Sequence, residues 1–252
     1  MNRRRFDSRR NRGGKLPRNA APVELTISHV GGRGDGVGRA PYKHNHITDE
    51  HSVFVPATLA GEQVVATPVA LSGQGIRAVL HEIITPSPER REPDCAAFPA
   101  CGGCSFQHWR DESVTAWKQN LVTGFLARAG VPCPEITPPH VARRHARRRA
   151  TFRLKRLAGG VAAGFLERGS DRIITPQDCS ILDPALITLL SHLSELADSR
   201  FPVGVSIDAQ ANMLDNGICL LLSGPDGWHD RILEDLAGWA ADRGLARLSV
   251  AE

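Results

Sequence analysis

The chain has 252 residues, of which 41% are hydrophobic, so its length allows one to three domains at about 100–200 residues each. Aromatic residues make up 5%, so base stacking is not expected to dominate any nucleic-acid binding. No apolar run approaches the ~20 residues needed to span a bilayer, and no apolar stretch follows the Arg-rich N-terminus. We therefore expect a soluble, cytoplasmic, monomeric protein without membrane contact.

The net charge of +4 is unevenly distributed along the chain. Residues 1–21 carry a net charge of +7 and residues 136–177 carry +8, whereas residues 178–252 carry −8. This asymmetry predicts one surface that faces a polyanion, and not a general excess of charge.

Two segments are predicted before residue 85. Residues 1–21 have almost no apolar content and are interpreted as a disordered basic tail. Residues 22–84 contain five short β-rich runs separated by Gly or Pro, which predicts a small all-β barrel of the OB type. The glycine-rich stretch GGRGDGVG follows the first strand of this barrel, so a turn is a better interpretation than a cofactor fingerprint.

Residues 85–135 combine a loop rich in Pro, Cys and Gly with a helix over 112–129 that Gly130 ends. The apolar side chains of this helix (Val114, Trp117, Leu121, Phe125 and Leu126) are predicted to share one face. Residues 136–252 are predicted to form an α+β domain. It opens with a hairpin around Gly159-Gly160, and Asp183 then caps a helix that begins at Pro184.

Three cysteines are spaced Cys95-x5-Cys101-x2-Cys104, and six cysteines in an intracellular chain favour a metal site over disulfides. Glycines between Cys101 and Cys104 let the backbone turn tightly enough for both sulfurs to face one centre. A four-thiolate site needs one more ligand, for which Cys133 and Cys179 are both open, while Cys219 is better interpreted as a buried apolar residue. The spacing also leaves zinc and iron–sulfur open.

A basic stretch over residues 143–156 contains no acid. Its cations are Arg143, Arg144, Arg147, Arg148, Arg149, Arg153, Lys155 and Arg156. A solvated charged face is the alternative, but beside a cysteine loop we predict contact with RNA phosphates. Arg33, Arg39 and Lys43 of the barrel are weaker candidates. The histidines His108, His140 and His145 are interpreted as surface or hydrogen-bonded side chains.

These motifs together resemble the N-terminal part of the RNA (uracil-5-)-methyltransferases, in the order seen in the branch that acts on ribosomal RNA. The similar segments are a TRAM-type barrel (VELTISHVGGRGDGVGRA), the cysteine loop ITPSPERREPDCAAFPACGGCSFQHW, and then WKQNLV, RRRATFRL, GFLERGSDRII and QDCSIL. The resemblance covers residues 23–252. It is less close at RRHARRR, where the family more often has an aromatic residue ahead of an Arg-Asn pair.

The resemblance implies a [4Fe–4S] cluster on Cys95, Cys101, Cys104 and Cys179. It also implies S-adenosylmethionine-dependent methyl transfer to C5 of uridine, in rRNA rather than tRNA. The family's nucleophile and general base lie in a Rossmann-like domain. We expect that domain to be absent, so that no residue here is catalytic and the chain by itself is inactive.

Two other functions remain open. A stand-alone, non-enzymatic RNA-binding iron–sulfur protein would bind RNA without needing S-adenosylmethionine. A radical methylthiotransferase can also carry a TRAM barrel, but its three-cysteine motif has a shorter first gap and leaves one iron open.

Overall fold

The computed structural model describes residues 20–44, 47–72, 75–224, 228 and 230–251. Most of the predicted basic tail, residues 1–19, lies outside them. The described residues form two compact units, the first of residues 20–92 and 108–139 and the second of residues 93–107 and 140–251. The predicted segment 85–135 is therefore divided between the two units.

Five strands in the described part of the first unit close into a barrel in the order β1-β2-β3-β5-β4. All neighbours pair antiparallel except β3 and β5, which pair parallel. Alternate residues such as Leu25 and Ile27 face the core. The strands are β1 Val23–Val30, β2 Gly36–His44, β3 Ile47–Val55, β4 Gln63–Ser72 and β5 Gly75–Thr85.

The glycine-rich stretch forms the turn from β1 into β2, which confirms its interpretation as part of the barrel. At Gly38 the strands approach so closely that an added Cβ would lie 2.6 Å from Leu25 Cδ1 and 2.7 Å from the Thr26 carbonyl oxygen. Glycine is therefore required there for close packing.

Helix α1, Asp111–Arg128, completes the first unit, and Gly130 follows it with a φ of +68°, as predicted for a helix end. Only part of the predicted apolar face is buried. Val114 is buried and the Trp117 indole donates to the Val30 carbonyl at 3.2 Å, but Phe125 is 57% exposed. A shared helical face therefore did not mean shared burial.

The described part of the second unit contains a six-stranded sheet in the order β11-β10-β9-β6-β7-β8. Its strands pair antiparallel except β10 and β11, which pair parallel across helix α3. The elements are β6 Arg149–Leu157, β7 Gly160–Leu166, β8 Ile173–Ile174, α2 Pro184–Arg200, β9 Ser206–Leu214, β10 Gly217–Ser223, α3 Asp230–Asp242 and β11 Arg247–Ala251.

The core of this unit lies between one face of the sheet and the two helices. Phe152 and Leu154 of β6 are buried against leucines of α2, and Trp239 of α3 joins the same cluster. The Asp183 carboxylate accepts a hydrogen bond from the Ala185 N–H at 2.9 Å, which confirms the predicted cap. No helix among the described residues is long and apolar enough to cross a membrane.

Candidate functional site

The loop of residues 93–107 holds three of the predicted ligands. Cys95 and Cys101 are buried and Cys104 is half-buried. Successive turns shape the loop, with the Phe98 N–H donating to the Cys95 carbonyl at 3.0 Å and the Cys101 N–H to the Ala97 carbonyl at 2.8 Å. The three thiols are thus held by backbone geometry within one short segment.

Gly102 anchors this loop to the turn after β7. Its N–H donates to the Leu166 carbonyl at 2.9 Å, and the Arg168 N–H donates to the Ala100 carbonyl at 3.1 Å. A Cβ at residue 102 would lie 2.6 Å from the Leu166 carbonyl oxygen. Only glycine fits at this position without displacing backbone.

Cys179 lies buried in the loop between β8 and α2, and that loop meets the first cysteine. The Cys95 thiol lies 3.8 Å from the Asp178 carbonyl oxygen. The structure therefore brings a distant cysteine to the side of the Cys95–Cys104 loop.

Neighbouring cysteines influence the thiols of Cys101 and Cys104 electrostatically. Burial raises the pKa of the Cys101 thiol, and Cys95 and Cys179 raise it further. Burial also raises the pKa of Cys104, to which the other three cysteines contribute. Within the described residues, however, no three His, Cys, Asp or Glu side chains are arranged to hold a metal ion.

The remaining cysteines are placed differently. Cys133 is exposed and belongs to the first unit, where its thiol lies 3.4 Å from the Pro134 carbonyl oxygen. Cys219 is half-buried in β10, in register with Asn212 of β9. Neither belongs to the group formed by Cys95, Cys101, Cys104 and Cys179.

Arg147 bridges the two cysteine-bearing loops. Its backbone N–H donates to the Ile181 carbonyl at 2.9 Å, and its backbone carbonyl accepts from the Asp183 N–H at 3.0 Å. Its guanidinium Nη1 donates to the Gly103 carbonyl at 3.2 Å. Backbone and side chain of one arginine therefore contact both loops.

A groove of about 610 Å³ lies beside the cysteine loop. Arg168 lines it, and its guanidinium Nη2 contacts the Ser105 hydroxyl at 2.8 Å and the Cys104 carbonyl at 3.4 Å. Sequence reasoning missed Arg168, although it lies within GFLERGSDRII, one of the quoted motifs. The groove residues include Gly102, Gly103, Ser105, Arg147, Thr151, Arg153, Glu167, Arg168 and Asp208.

One of the carboxylates lining this groove, Glu167, is engaged by its own turn. It accepts hydrogen bonds from the Arg172 guanidinium and the Ser170 hydroxyl, which lower the pKa of Glu167 to about 2. Glu167 is therefore ionised at neutral pH, with Arg172 beside it.

Arg144, Arg148 and Arg153 of the basic stretch form ion pairs. Their N–O distances are 2.7 Å for Arg144–Asp94, 2.8 Å for Arg148–Asp215 and 3.0 Å for Arg153–Asp208. Arg156 donates to the Leu157 and Gly160 carbonyls. Among the described residues, no carboxylate lies within 4.0 Å of the charged groups of Arg143, Arg147, Arg149 or Lys155.

The barrel candidates lie in the turn between β1 and β2 and in β2 itself. Arg33 is exposed, and Arg39 lies 4.0 Å from Glu50 with both side chains mostly exposed. The side chain of Lys43 lies outside the described residues. Of the histidines, His108 is buried, His140 is exposed, and the His145 ring lies 3.1 Å from the Leu182 carbonyl oxygen.

No protein-family model matches the chain. It is 33% identical over 226 residues to an uncharacterized RNA methyltransferase of Brucella suis, covering 90% of this chain and 51% of that protein. It is 32% identical over 242 residues to the 23S rRNA (uracil(1939)-C(5))-methyltransferase RlmD of Alkalilimnicola ehrlichii, and this match covers 92% of this chain and 51% of RlmD. These similarities confirm the resemblance to RNA methyltransferases. The chain spans about half the length of the curated relatives it matches.

The fold resembles the crystal structure of the Pyrococcus abyssi tRNA (uracil-54, C5)-methyltransferase in complex with S-adenosyl-L-homocysteine. The TM-score is 0.50 at 14% identity, and the match covers 83% of this chain and 48% of the other.

This match corrects the predicted fold class, in which an α+β domain followed the barrel and a Rossmann-like methyltransferase domain was absent. The prediction of absence is wrong, because 83% of the chain follows the fold of a methyltransferase. The described residues also contain a parallel β10-α3-β11 crossover, which is the unit from which Rossmann-like sheets are built. The expected inactivity has no support in these comparisons.

Proposed function

We propose that this chain contributes RNA binding and an iron–sulfur site to S-adenosylmethionine-dependent methylation of uridine C5 in ribosomal RNA. The proposal rests on the similarity between this chain and the rRNA enzyme RlmD, and the match covers 92% of this chain. That relative acts on 23S rRNA, which favours rRNA over tRNA as the substrate here. We also propose that the protein works in the cytoplasm, as a monomer.

The proposed division of labour follows the chain. Residues 22–84 form a TRAM-type RNA-binding barrel, residues 85–135 carry most of the cluster ligands, and residues 136–252 form a central RNA-binding domain. The basic tail of residues 1–21 adds non-specific attraction to phosphates. S-adenosylmethionine supplies the methyl group, and no residue of this chain is assigned to its chemistry.

A [4Fe–4S] cluster is proposed on Cys95, Cys101, Cys104 and Cys179. The donor set supports it, because thiolates are the ligands of such clusters and three of the four thiols are buried. The cluster would join the 93–107 loop to the loop before α2 and hold both in place. In this role it is structural, and zinc on the same four thiolates is the competing assignment.

The cluster is tested by anaerobic purification followed by iron, sulfide and zinc analysis. We expect about four irons and four sulfides per chain. Zinc at about one per chain, with neither iron nor sulfide, would contradict the cluster and leave the RNA proposal standing.

The reaction is tested with the full-length protein that contains this sequence. We expect transfer of the labelled methyl group of S-adenosylmethionine to unmodified rRNA transcript, with 5-methyluridine identified by mass spectrometry of the nucleosides. Methylation of tRNA transcript in preference to rRNA would overturn the proposed substrate. RNA binding without any methyl transfer would instead favour the non-enzymatic alternative.

A further inference from the structure

The two faces of the six-stranded sheet differ in chemistry. The face that carries Phe152 and Leu154 is covered by α2 and α3. On β6 from Arg149 to Lys155 and on β9 from Ser206 to Asn212, the side chains of the opposite face are exposed or half-buried and polar. On β6 and β9 they form cross-strand pairs of Arg149 with Asn212, Thr151 with Gln210, Arg153 with Asp208, and Lys155 with Ser206.

This open face runs into the groove beside the cysteine loop. Thr151, Arg153 and Asp208 belong to both the sheet face and the groove. The groove therefore continues a polar surface that already carries Arg149 and Lys155, neither of which has a carboxylate partner among the described residues. A polar surface with unneutralised cations is what a phosphodiester backbone requires.

Arg147 is the cation that joins this surface to the cysteine site. Two of its side-chain N–H groups donate to the Arg149 and Gly103 carbonyls, at 3.1 and 3.2 Å. A guanidinium has five N–H donors, so others remain for a ligand in the groove. Both cysteine-bearing loops fix the position of Arg147, because its backbone is bonded to Ile181 and Asp183.

We propose that the open sheet face and its groove bind the RNA backbone, and that Arg147 couples RNA binding to occupancy of the cysteine site. A cluster that orders both loops would also order Arg147 toward the groove. This inference rests on the proposed function. It deepens that function by naming the surface that binds RNA and by making the RNA affinity depend on occupancy of the cysteine site.

The coupling has a thermodynamic consequence. If occupancy of the cysteine site raises the affinity for RNA, then bound RNA must raise the affinity for the metal by the same factor. We expect the iron–sulfur form to bind RNA roughly fivefold more tightly than the metal-free form, which is the lower end of common coupling strengths.

The test uses the whole chain in reconstituted and chelated forms, with a fluorescein-labelled single-stranded oligouridine. Fluorescence anisotropy gives Kd over a series of KCl concentrations. Arg147→Gln should weaken binding by the metal-free chain and remove most of the difference between the two forms. Compared with Arg147→Gln, Arg147→Lys should regain the native salt dependence of RNA binding but not the coupling. A lysine has no planar guanidinium that could donate to the Arg149 and Gly103 carbonyls and to a phosphate at the same time.

Lys118→Gln is the matched control, since it removes one exposed cation from α1 of the first unit, away from the sheet and outside the basic stretch. It should leave both the affinity and the coupling unchanged. The double variant Arg149→Gln/Lys155→Gln should reduce the slope of log K against log salt by about 1.4, at ~0.7 per phosphate contact for single strands.

The reciprocal measurement is iron release to a chelator with and without the RNA. We expect RNA to slow release from the native chain and not from Arg147→Gln. If Arg147→Gln cannot be reconstituted, comparison of the two metal-free proteins still decides whether Arg147 contacts RNA.

Two outcomes separate this inference from the function on which it rests. Equal RNA affinity of native and Arg147→Gln chains, or of native chain with and without cluster, overturns the inference while RNA binding itself stands. Failure of every form to bind RNA at low salt overturns the proposed function as well.

Discussion

Cys179 shows how a single residue can complete a site that begins far away in the chain. The sequence left Cys133 and Cys179 open, and only the family resemblance favoured Cys179. In the structure Cys179 is buried near Cys95, whereas Cys133 is exposed in the other unit. The two cysteines therefore make a matched pair of variants.

Replacing Cys179 by Ser should abolish stable cluster binding, because the hydroxyl is a poor replacement for one of four thiolates. We expect iron loss to a chelator to become at least about tenfold faster. Iron analysis and the visible absorption of the cluster measure this. Cys133→Ser should retain the native iron content, and loss of iron from that variant alone would reverse the ligand assignment.

Gly102→Ala tests the close packing of the cysteine loop against the turn after β7. The added Cβ would lie 2.6 Å from the Leu166 carbonyl oxygen, so backbone must shift. We expect a loss of about 1–3 kcal/mol in the free energy of unfolding, with weaker iron retention. Denaturant unfolding and chelator kinetics measure the two effects.

Gly159→Ala is the control for that substitution, since nothing lies within 4 Å of its added Cβ. Its effect should stay within about 0.5 kcal/mol. Similar losses in both variants would show that loop packing at Gly102 is not special.

At the scale of elements, a buried ion pair fastens the segment after β5 to the barrel. Glu62 is fully buried and accepts hydrogen bonds from Arg90 Nε at 2.6 Å and Nη2 at 2.8 Å. The same carboxylate accepts from the Leu59 and Ser87 N–H groups, at 2.9 and 3.1 Å. Residues 87–90 are thereby held at a defined place on the first unit.

Glu62→Gln should lower the free energy of unfolding of the first unit by about 3 kcal/mol, since it leaves Arg90 without its buried counterion. Equilibrium denaturation at neutral pH measures this loss. Glu50→Gln is the control, because the Arg39–Glu50 pair is 4.0 Å long and exposed. Exposed pairs contribute about 0–1 kcal/mol, and an equal loss in both variants would contradict the role of Glu62.

The same residue predicts a pH dependence. Burial raises the pKa of Glu62, but hydrogen bonds from Arg90, Leu59 and Ser87 outweigh it and hold the pKa below 4.5. A depressed folded-state pKa stabilises the fold fully above the unfolded value, and this stability is lost as pH falls through the folded value. The native chain should therefore lose more stability below pH 4.5 than Glu62→Gln does. Parallel acid unfolding curves for the two would contradict this sign.

At the scale of the whole molecule, the proposed cluster ligands all belong to the second unit. We therefore expect metal binding to protect amides in residues 93–107 and 145–183 from hydrogen exchange, and to leave the barrel strands of residues 22–84 unchanged. Mass spectrometry of the reconstituted and chelated chain measures both regions. Equal protection in both regions would show that the cluster stabilises the molecule globally.

Elements with strong local signals were predicted well. Asp183 and Pro184 begin α2 as expected, and the hairpin around Gly159-Gly160 pairs β6 with β7. Caps, turns and alternating burial depend on residues a few positions apart, so the sequence carries them. The exposure of Phe125 was not predictable in this way, because burial depends on what lies opposite the helix.

By itself the sequence determined the cysteine spacing, the basic stretch and the strand that presents part of it, since all three are properties of neighbouring residues. The tertiary structure alone decided which arginines meet a carboxylate and that Arg147 contacts both cysteine-bearing loops. It also placed Arg168 beside Ser105. These relations join residues distant in sequence, and only the folded backbone sets the distances on which ion pairing and hydrogen bonding depend.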